Sequence, residues 1–249
     1  MLRIGAQGKW ASIIKRKIMK KAILLGATGA IGNILLLQLL ENKSYSSILA
    51  IGRKELRMHH PKLTQLVINF DELENYSAQI TGDVVFCCLG TTKSQTPDPK
   101  QYRKIDYQYP LDVARTALKN GAESYHLVSS IGADKNSSTF YIKTKGEVEE
   151  GLKGIPFKNI HIYRPSMLDT ERKEKRFIEG TANVLMHVIN PILVGGLKKY
   201  RSIKVETVAK VMLKLSLEDK AGIFTHESDE IQELSSGEIN PLSLKSLNT

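Results

Sequence analysis

The chain has 249 residues, of which 41% are hydrophobic and 25% charged, with 18 glycines and 8 prolines. These proportions suit one globular domain with a sizeable core, and they exclude a fibrous or disordered chain. The net charge of +10 invites a nucleic-acid partner, yet residues 1–21 hold Arg3, Lys9, Lys15, Arg16, Lys17, Lys20 and Lys21 and no acid, which leaves +3 on the remainder. The basicity belongs to an N-terminal arm, so nucleic-acid binding is not expected. The two cysteines, Cys87 and Cys88, are adjacent; they form no disulfide framework or metal knuckle, and they point to a reducing, cytoplasmic compartment. Residues 181–197 form the most apolar long stretch, but Asn183, His187, Asn190, Pro191 and paired glycines interrupt it. It falls short of the roughly 20 apolar residues a membrane span requires. Residues 1–18 read as a basic arm or upstream extension, 19–234 as a single α/β domain and 235–249 as a polar tail.

In chain order, residues 22–25 form a short apolar run that enters GATGAIG at 26–32, after which 34–40 reads as a helix. Strands follow at 47–51 and 66–70, and a fourth, DVVFCC, at 83–88. Such near-continuous apolar runs are what a parallel sheet covered on both faces requires. Residues 102–120 give a helical pattern stopped by Gly121, 125–128 a fifth strand ending in Ser129-Ser130, 140–152 a helix, and 160–163 a sixth strand. Past Pro165 the pattern loosens into helices near 177–189 and 205–217 and a strand near 222–225. Alternating strands and helices predict a Rossmann-type, doubly wound parallel α/β sheet with a small C-terminal extension.

Gly26, Gly29 and Gly32 lie directly between a strand and a helix. Glycines there permit a tight turn and a close backbone approach to a pyrophosphate, whose charge the helix N-terminus favours. A plain strand-to-helix turn is the structural alternative. At the end of the second strand, where an NAD site wants a carboxylate for the ribose hydroxyls, the chain has Gly52-Arg53-Lys54. A guanidinium suits a 2′-phosphate, so NADP(H) is expected over NAD(H) unless Arg53 is only a surface charge. Asp71 is a candidate for the adenine amino group, and Cys88, Leu89 and Gly90 end the fourth strand where the adenosine ribose would pass.

Tyr141 and Lys145 are four residues apart on a predicted helix, so they share one face. A lysine ammonium one turn away favours the phenolate, and the phenol can then exchange a proton with a carbonyl or alcohol oxygen. Ser130, at a strand's carboxyl end, is positioned to bond that same oxygen. His59-His60 lacks further ligands at metal spacing and reads as a surface loop, and no metal site is expected. The mixed-sign run at 171–176 reads as a solvated loop, with a lid as the alternative.

GATGAIG at 26–32, CLGTTKSQT at 88–96, LVSSIGADKNSSTFYIKTKGEVE at 127–149 and YRPSML at 163–168 carry a resemblance. The chain resembles the atypical short-chain dehydrogenase/reductases of the NAD(P)-dependent epimerase-like branch, most closely the Tat-interacting-protein oxidoreductase family and its bacterial relatives. The resemblance implies an NADPH-binding Rossmann domain with the glycine loop (Gly26, Thr28, Gly29, Ala30, Ile31, Gly32), Arg53, Leu89, Gly90 and Ser129 at the cofactor. It makes Tyr141 the proton donor/acceptor and sets Lys145 on the nicotinamide ribose. Pro165, Leu168 and Arg176 would border the cofactor. The expected function is NADP(H)-dependent hydride transfer with a small carbonyl/alcohol substrate; the alternative is an NADPH-sensing regulatory protein acting through a partner. A homodimer is left open.

Overall fold

The computed structural model describes residues 19–169 and 195–237. The basic arm, Arg176, the helix expected near 177–189 and all but the first residues of the polar tail lie outside these. Strand β1 (Lys20–Leu25) leads into helix α1 (Ala30–Glu41), then β2 (Tyr45–Gly52) and β3 (Leu63–Val67). β4 (Val84–Cys87), β5 (Ser124–Val128), β6 (Asn159–Arg164) and β9 (Gly222–Glu227) complete a seven-stranded sheet of order β3-β2-β1-β4-β5-β6-β9. Every pairing in it is parallel. A second pairing joins β7 (Leu168–Asp169) to β8 (Ile203–Lys204) beyond the sheet's carboxyl end.

Burial on both faces explains the apolar runs. In β1 and β4 alternate residues serve opposite cores, as the period of two requires. Ile23, Leu25, Val85 and Cys87 join one cluster with Val113, Ala114 and Val148. Ala22, Leu24, Val84 and Phe86 join another with Leu35, Leu39, Val208 and Met212. Helices α3 (Tyr109–Lys119) and α4 (Phe140–Lys153) therefore cover the first face, and α1 and α5 (Val205–Ser216) the second. A last helix, α6 (Ser228–Ser236), follows β9 directly and includes the first two residues expected in the tail.

Two sequence expectations need correction. The third strand is shifted: β3 ends at Val67, paired with Gly52. The Asn69 side chain accepts from the Asp71 amide and turns the chain into a 3-10 helix, Phe70–Gln79. Its first residue, Phe70, packs against Tyr109 with ring centroids 4.9 Å apart. The single helix expected over 102–120 is three pieces: α2 (Pro99–Arg103), a π-helical turn (Lys104–Gln108) and α3. Pro110, near the start of α3, has no amide to return to the Asp106 carbonyl, so the ladder widens ahead of it.

The chain runs outward from β1 through β2 to β3, then returns to β4 on β1's other side. The carboxyl ends of β1 and β4 thus flank the topological switch point, where open α/β sheets form their ligand crevice.

Candidate functional site at the sheet's carboxyl edge

The glycine loop occupies that switch point. Gly26 has φ of +79°, and a Cβ on it would sit 2.4 Å from the Cys88 carbonyl oxygen. The ends of β1 and β4 meet this closely because Gly26 lacks a side chain. A Cβ on Gly32 would meet the Gly26 oxygen at 2.1 Å, so the first turn of α1 packs onto the loop itself. Gly29 caps α1 without a side-chain bond, and the first turn carries no acid. Its leading amides are therefore available to an anion, with no acid in that turn to oppose its charge.

Arg53, just past β2, is exposed and makes no ion pair among the described residues. Asp71 lies at the start of the 3-10 helix and is engaged: Lys104 donates to both its oxygens at 2.9 Å, and the Tyr109 hydroxyl donates at 3.0 Å. The Lys104 hydrogen bonds hold its carboxyl below the ordinary range. Cys88 and Leu89 are half-buried and Gly90 is exposed, all following β4. Neither thiol is bridged, and burial pushes both upward.

At the second crossover, Tyr141 stands in the first turn of α4, 40% exposed, one turn from the buried Lys145. Lys145 Nζ lies 2.9 Å from Asp106 Oδ1. Burial is the largest influence and disfavours the ammonium, but Asp106, Tyr141 and Tyr102 together outweigh it, and the lysine's affinity for its proton is raised. Gly90 abuts the pair: a Cβ there would lie 3.5 Å from Nζ and 3.7 Å from Asp106 Oδ1. The end of β4, the π turn and α4 thus converge on one buried ion pair.

The two serines after β5 diverge. Ser130 is half-buried, and among the described residues its hydroxyl has only a long 3.4 Å contact, to the Ile131 carbonyl. Ser129 is buried, and its hydroxyl donates to Glu149. Glu149 is in turn gripped by Arg164, whose Nε and Nη2 donate at 3.0 and 2.6 Å. The Ser129 side chain is therefore engaged at the α4–β6 junction. The Pro165 carbonyl accepts from the Ile131 amide at 3.0 Å, and Leu168 pairs with Ile203 and packs on the second core. His59 and His60 are exposed in a surface loop.

Sequence reasoning passed over Asp106. In KIDYQYPLD an aspartate among charged residues reads as a solvated helical position, and the only hint of an inward turn is Pro110 four residues on. Asp106 is 1% exposed. Its Oδ2 accepts from the Thr91 amide at 2.9 Å, while the Tyr102 hydroxyl donates to the Thr91 carbonyl at 3.0 Å.

Known proteins resemble this chain in sequence and in fold. The chain is similar to protein HTATIP2 of Rattus norvegicus, 35% identical over 161 residues that span 63% of this chain and 66% of the rat protein. It is similar to protein fmp52, mitochondrial, of Aspergillus niger, 30% identical over 222 residues covering 86% and 94% of the two chains. Among solved structures it is similar to the Bordetella bronchiseptica enzyme WbmH in complex with NAD+, with a TM-score of 0.63, 15% identity and 93% and 83% coverage. The Lactococcus lactis oxidoreductase ylbE aligns with a TM-score of 0.60, 17% identity and 88% and 99% coverage.

These relatives overturn the expectation of a cytoplasmic compartment, because several fungal ones are named mitochondrial proteins. Unpaired cysteines report a reducing environment and do not distinguish one such compartment from another. The NAD(P)H-binding family model matches residues 26–219. With the glycine loop at the switch point of a parallel seven-stranded sheet, the chain belongs to this NAD(P)H-binding family and to its atypical short-chain dehydrogenase/reductase branch.

Proposed function

We propose that the protein is an NADP(H)-dependent oxidoreductase acting on a small carbonyl/alcohol pair. The observation that carries the reading is Lys145, a buried ammonium one helical turn from the exposed Tyr141 and adjoining Gly90 at the end of β4. When bound, the nicotinamide supplies a hydride to a carbonyl carbon or accepts one from an alcohol carbon. Tyr141 then gives a proton to the substrate oxygen, or takes it, and Ser130 bonds and orients that oxygen. Lys145 donates to the nicotinamide ribose. Gly26, Thr28, Gly29, Ala30, Ile31 and Gly32 approach the pyrophosphate at the open N-terminus of α1. Cys88, Leu89 and Gly90 line the path of the cofactor, and Pro165 and Leu168 border its nicotinamide end.

The preference for NADP(H) rests on Arg53, a guanidinium without an ion pair among the described residues, where an NAD site needs a carboxylate. Asp71 already serves Lys104 and Tyr109, which makes it a support of the crevice wall in this reading. Replacing Arg53→Ser is expected to weaken NADPH binding by roughly tenfold, the worth of a charged hydrogen bond, and to leave NADH binding unchanged. Equal effects on both cofactors would remove the basis for the preference.

The decisive test is NADPH oxidation against a panel of aldehydes, ketones and quinones, with NADPH binding measured in the same samples. Tyr141→Phe should lose turnover by roughly two to four orders of magnitude while binding persists. Tight binding without turnover on any member of the panel would instead favour a cofactor sensor, and absence of binding would defeat both.

A further inference from the structure

From the buried Asp106–Lys145 contact we infer that Asp106 is a positioning residue: its carboxylate keeps Lys145 permanently protonated and ties the β4 end loop to the π turn, so that cofactor binding does not vary with the charge of Lys145. The inference rests on the proposed role of Lys145 in holding the cofactor. Lys145 and Asp106 side chains are 7% and 0% exposed, with Nζ 2.9 Å from Oδ1. A lysine this deeply buried sheds its proton readily unless a carboxylate compensates for the lost water. The groups facing Lys145 are Asp106 from the π turn, Tyr102 from α2, Tyr141 from α4 and Cys87 from β4. Asp106 is the one carboxylate among them, and its Oδ1 is the oxygen 2.9 Å from Nζ.

The other carboxylate oxygen has a separate task. Oδ2 accepts from the Thr91 amide at 2.9 Å, and the neighbouring Thr91 carbonyl accepts from Tyr102. One side chain thereby joins three pieces of backbone that meet only in the folded state, and Gly90, against both charges, lies between them. The widened π turn ahead of Pro110 is what brings Asp106 inside.

The test is the dissociation constant of NADPH, read by its fluorescence from about pH 5.5 to about pH 9.5, for wild type and Asp106→Asn. The ratio of the two constants cancels titration of the cofactor's own phosphate. It is expected to rise with pH by roughly tenfold or more, the worth of a hydrogen bond from a charged donor, as Lys145 loses its proton in the variant. The double variant Asp106→Asn/Lys145→Met removes both charges, and its ratio to wild type is expected to be large and constant over the same range. This second ratio also serves if the single variant fails to fold. A flat ratio for Asp106→Asn, or a sloping one for the double variant, would overturn the inference. Failure of the wild type to bind NADPH at all would be a different result, ending the proposed function and this inference together.

Discussion

At the scale of single residues, glycines and charges at the switch point differ in how openly they declare themselves. Gly26, Gly29 and Gly32 are legible because their spacing sits between a strand and a helix, and a positive φ at Gly26 explains the first of them. Gly26→Ala must resolve both an unfavourable backbone conformation and a contact with the Cys88 carbonyl. It is expected to cost about 1–3 kcal/mol, read as a lower midpoint in urea. Tyr141 and Lys145 are legible too, because four residues of helix suffice to align them. Ser129 and Ser130 are not separable by sequence. Adjacent residues point to opposite faces, and only the position of Glu149 and Arg164 shows that Ser129 faces the structural side. Glu149→Leu would leave the Arg164 guanidinium only Glu227 and the Ala133 carbonyl and is expected to destabilise by about 1–3 kcal/mol, measured in the same urea titration, with Ser130→Ala close to neutral in stability.

Elements depend on partners as well as on their own periodicity. Residues 66–70 are as apolar as a strand should be, yet β3 takes residues 63–67 because its register is set by β2 and its end by the Asn69 side chain. β5, β6 and β9 share a feature that alternation alone does not explain. His126, His161 and His226 are all buried, and their rings stack in neighbouring pairs at 4.7 and 5.4 Å. His161 Nδ1 and His226 Nε2 are 3.1 Å apart, and His226 Nδ1 lies 2.9 Å from Glu230 on α6. His126 meets Ser124 at 3.0 Å and Tyr163 at 2.9 Å. Burial holds His126 well below its ordinary value and lowers His161 to about 3. The folded protein therefore binds fewer protons here than the unfolded chain. The stability involved is fully present above the ordinary histidine value of about 6.5 and is lost as pH falls from there toward 3. His161 should remove about 1.4 kcal/mol per pH unit over that window, and His126 acts in the same direction. Urea midpoints at mildly acidic and neutral pH should show this loss, and a matched His161→Phe variant should show a shallower slope.

At the scale of the whole molecule, the parallel order β3-β2-β1-β4-β5-β6-β9 makes one crevice edge from the ends of several strands. A ligand seated there touches pieces far apart in the chain, so it should stabilise the fold as a unit. NADPH at about one hundred times its dissociation constant adds about 2.7 kcal/mol, which for a domain of this size corresponds to a rise in Tm of roughly 5–11 °C. NADH at equal concentration should raise it less. Equal shifts would count against a role for Arg53. No helix among the described residues is long and apolar enough to cross a membrane.

The sequence by itself determined the alternation of strands and helices, the glycine turn and the Tyr141–Lys145 face. Each is a local pattern, set by a period of two or 3.6 residues or by a turn that only glycine enters easily. The tertiary structure decided which serine is bound to Glu149, where Asp71 spends its charge, and that Asp106 answers Lys145. Those outcomes join residues as much as 39 positions apart, and no periodicity along the chain encodes them. They follow from sheet order, from the π turn ahead of Pro110, and from the rule that a charge withdrawn from water must find its partner.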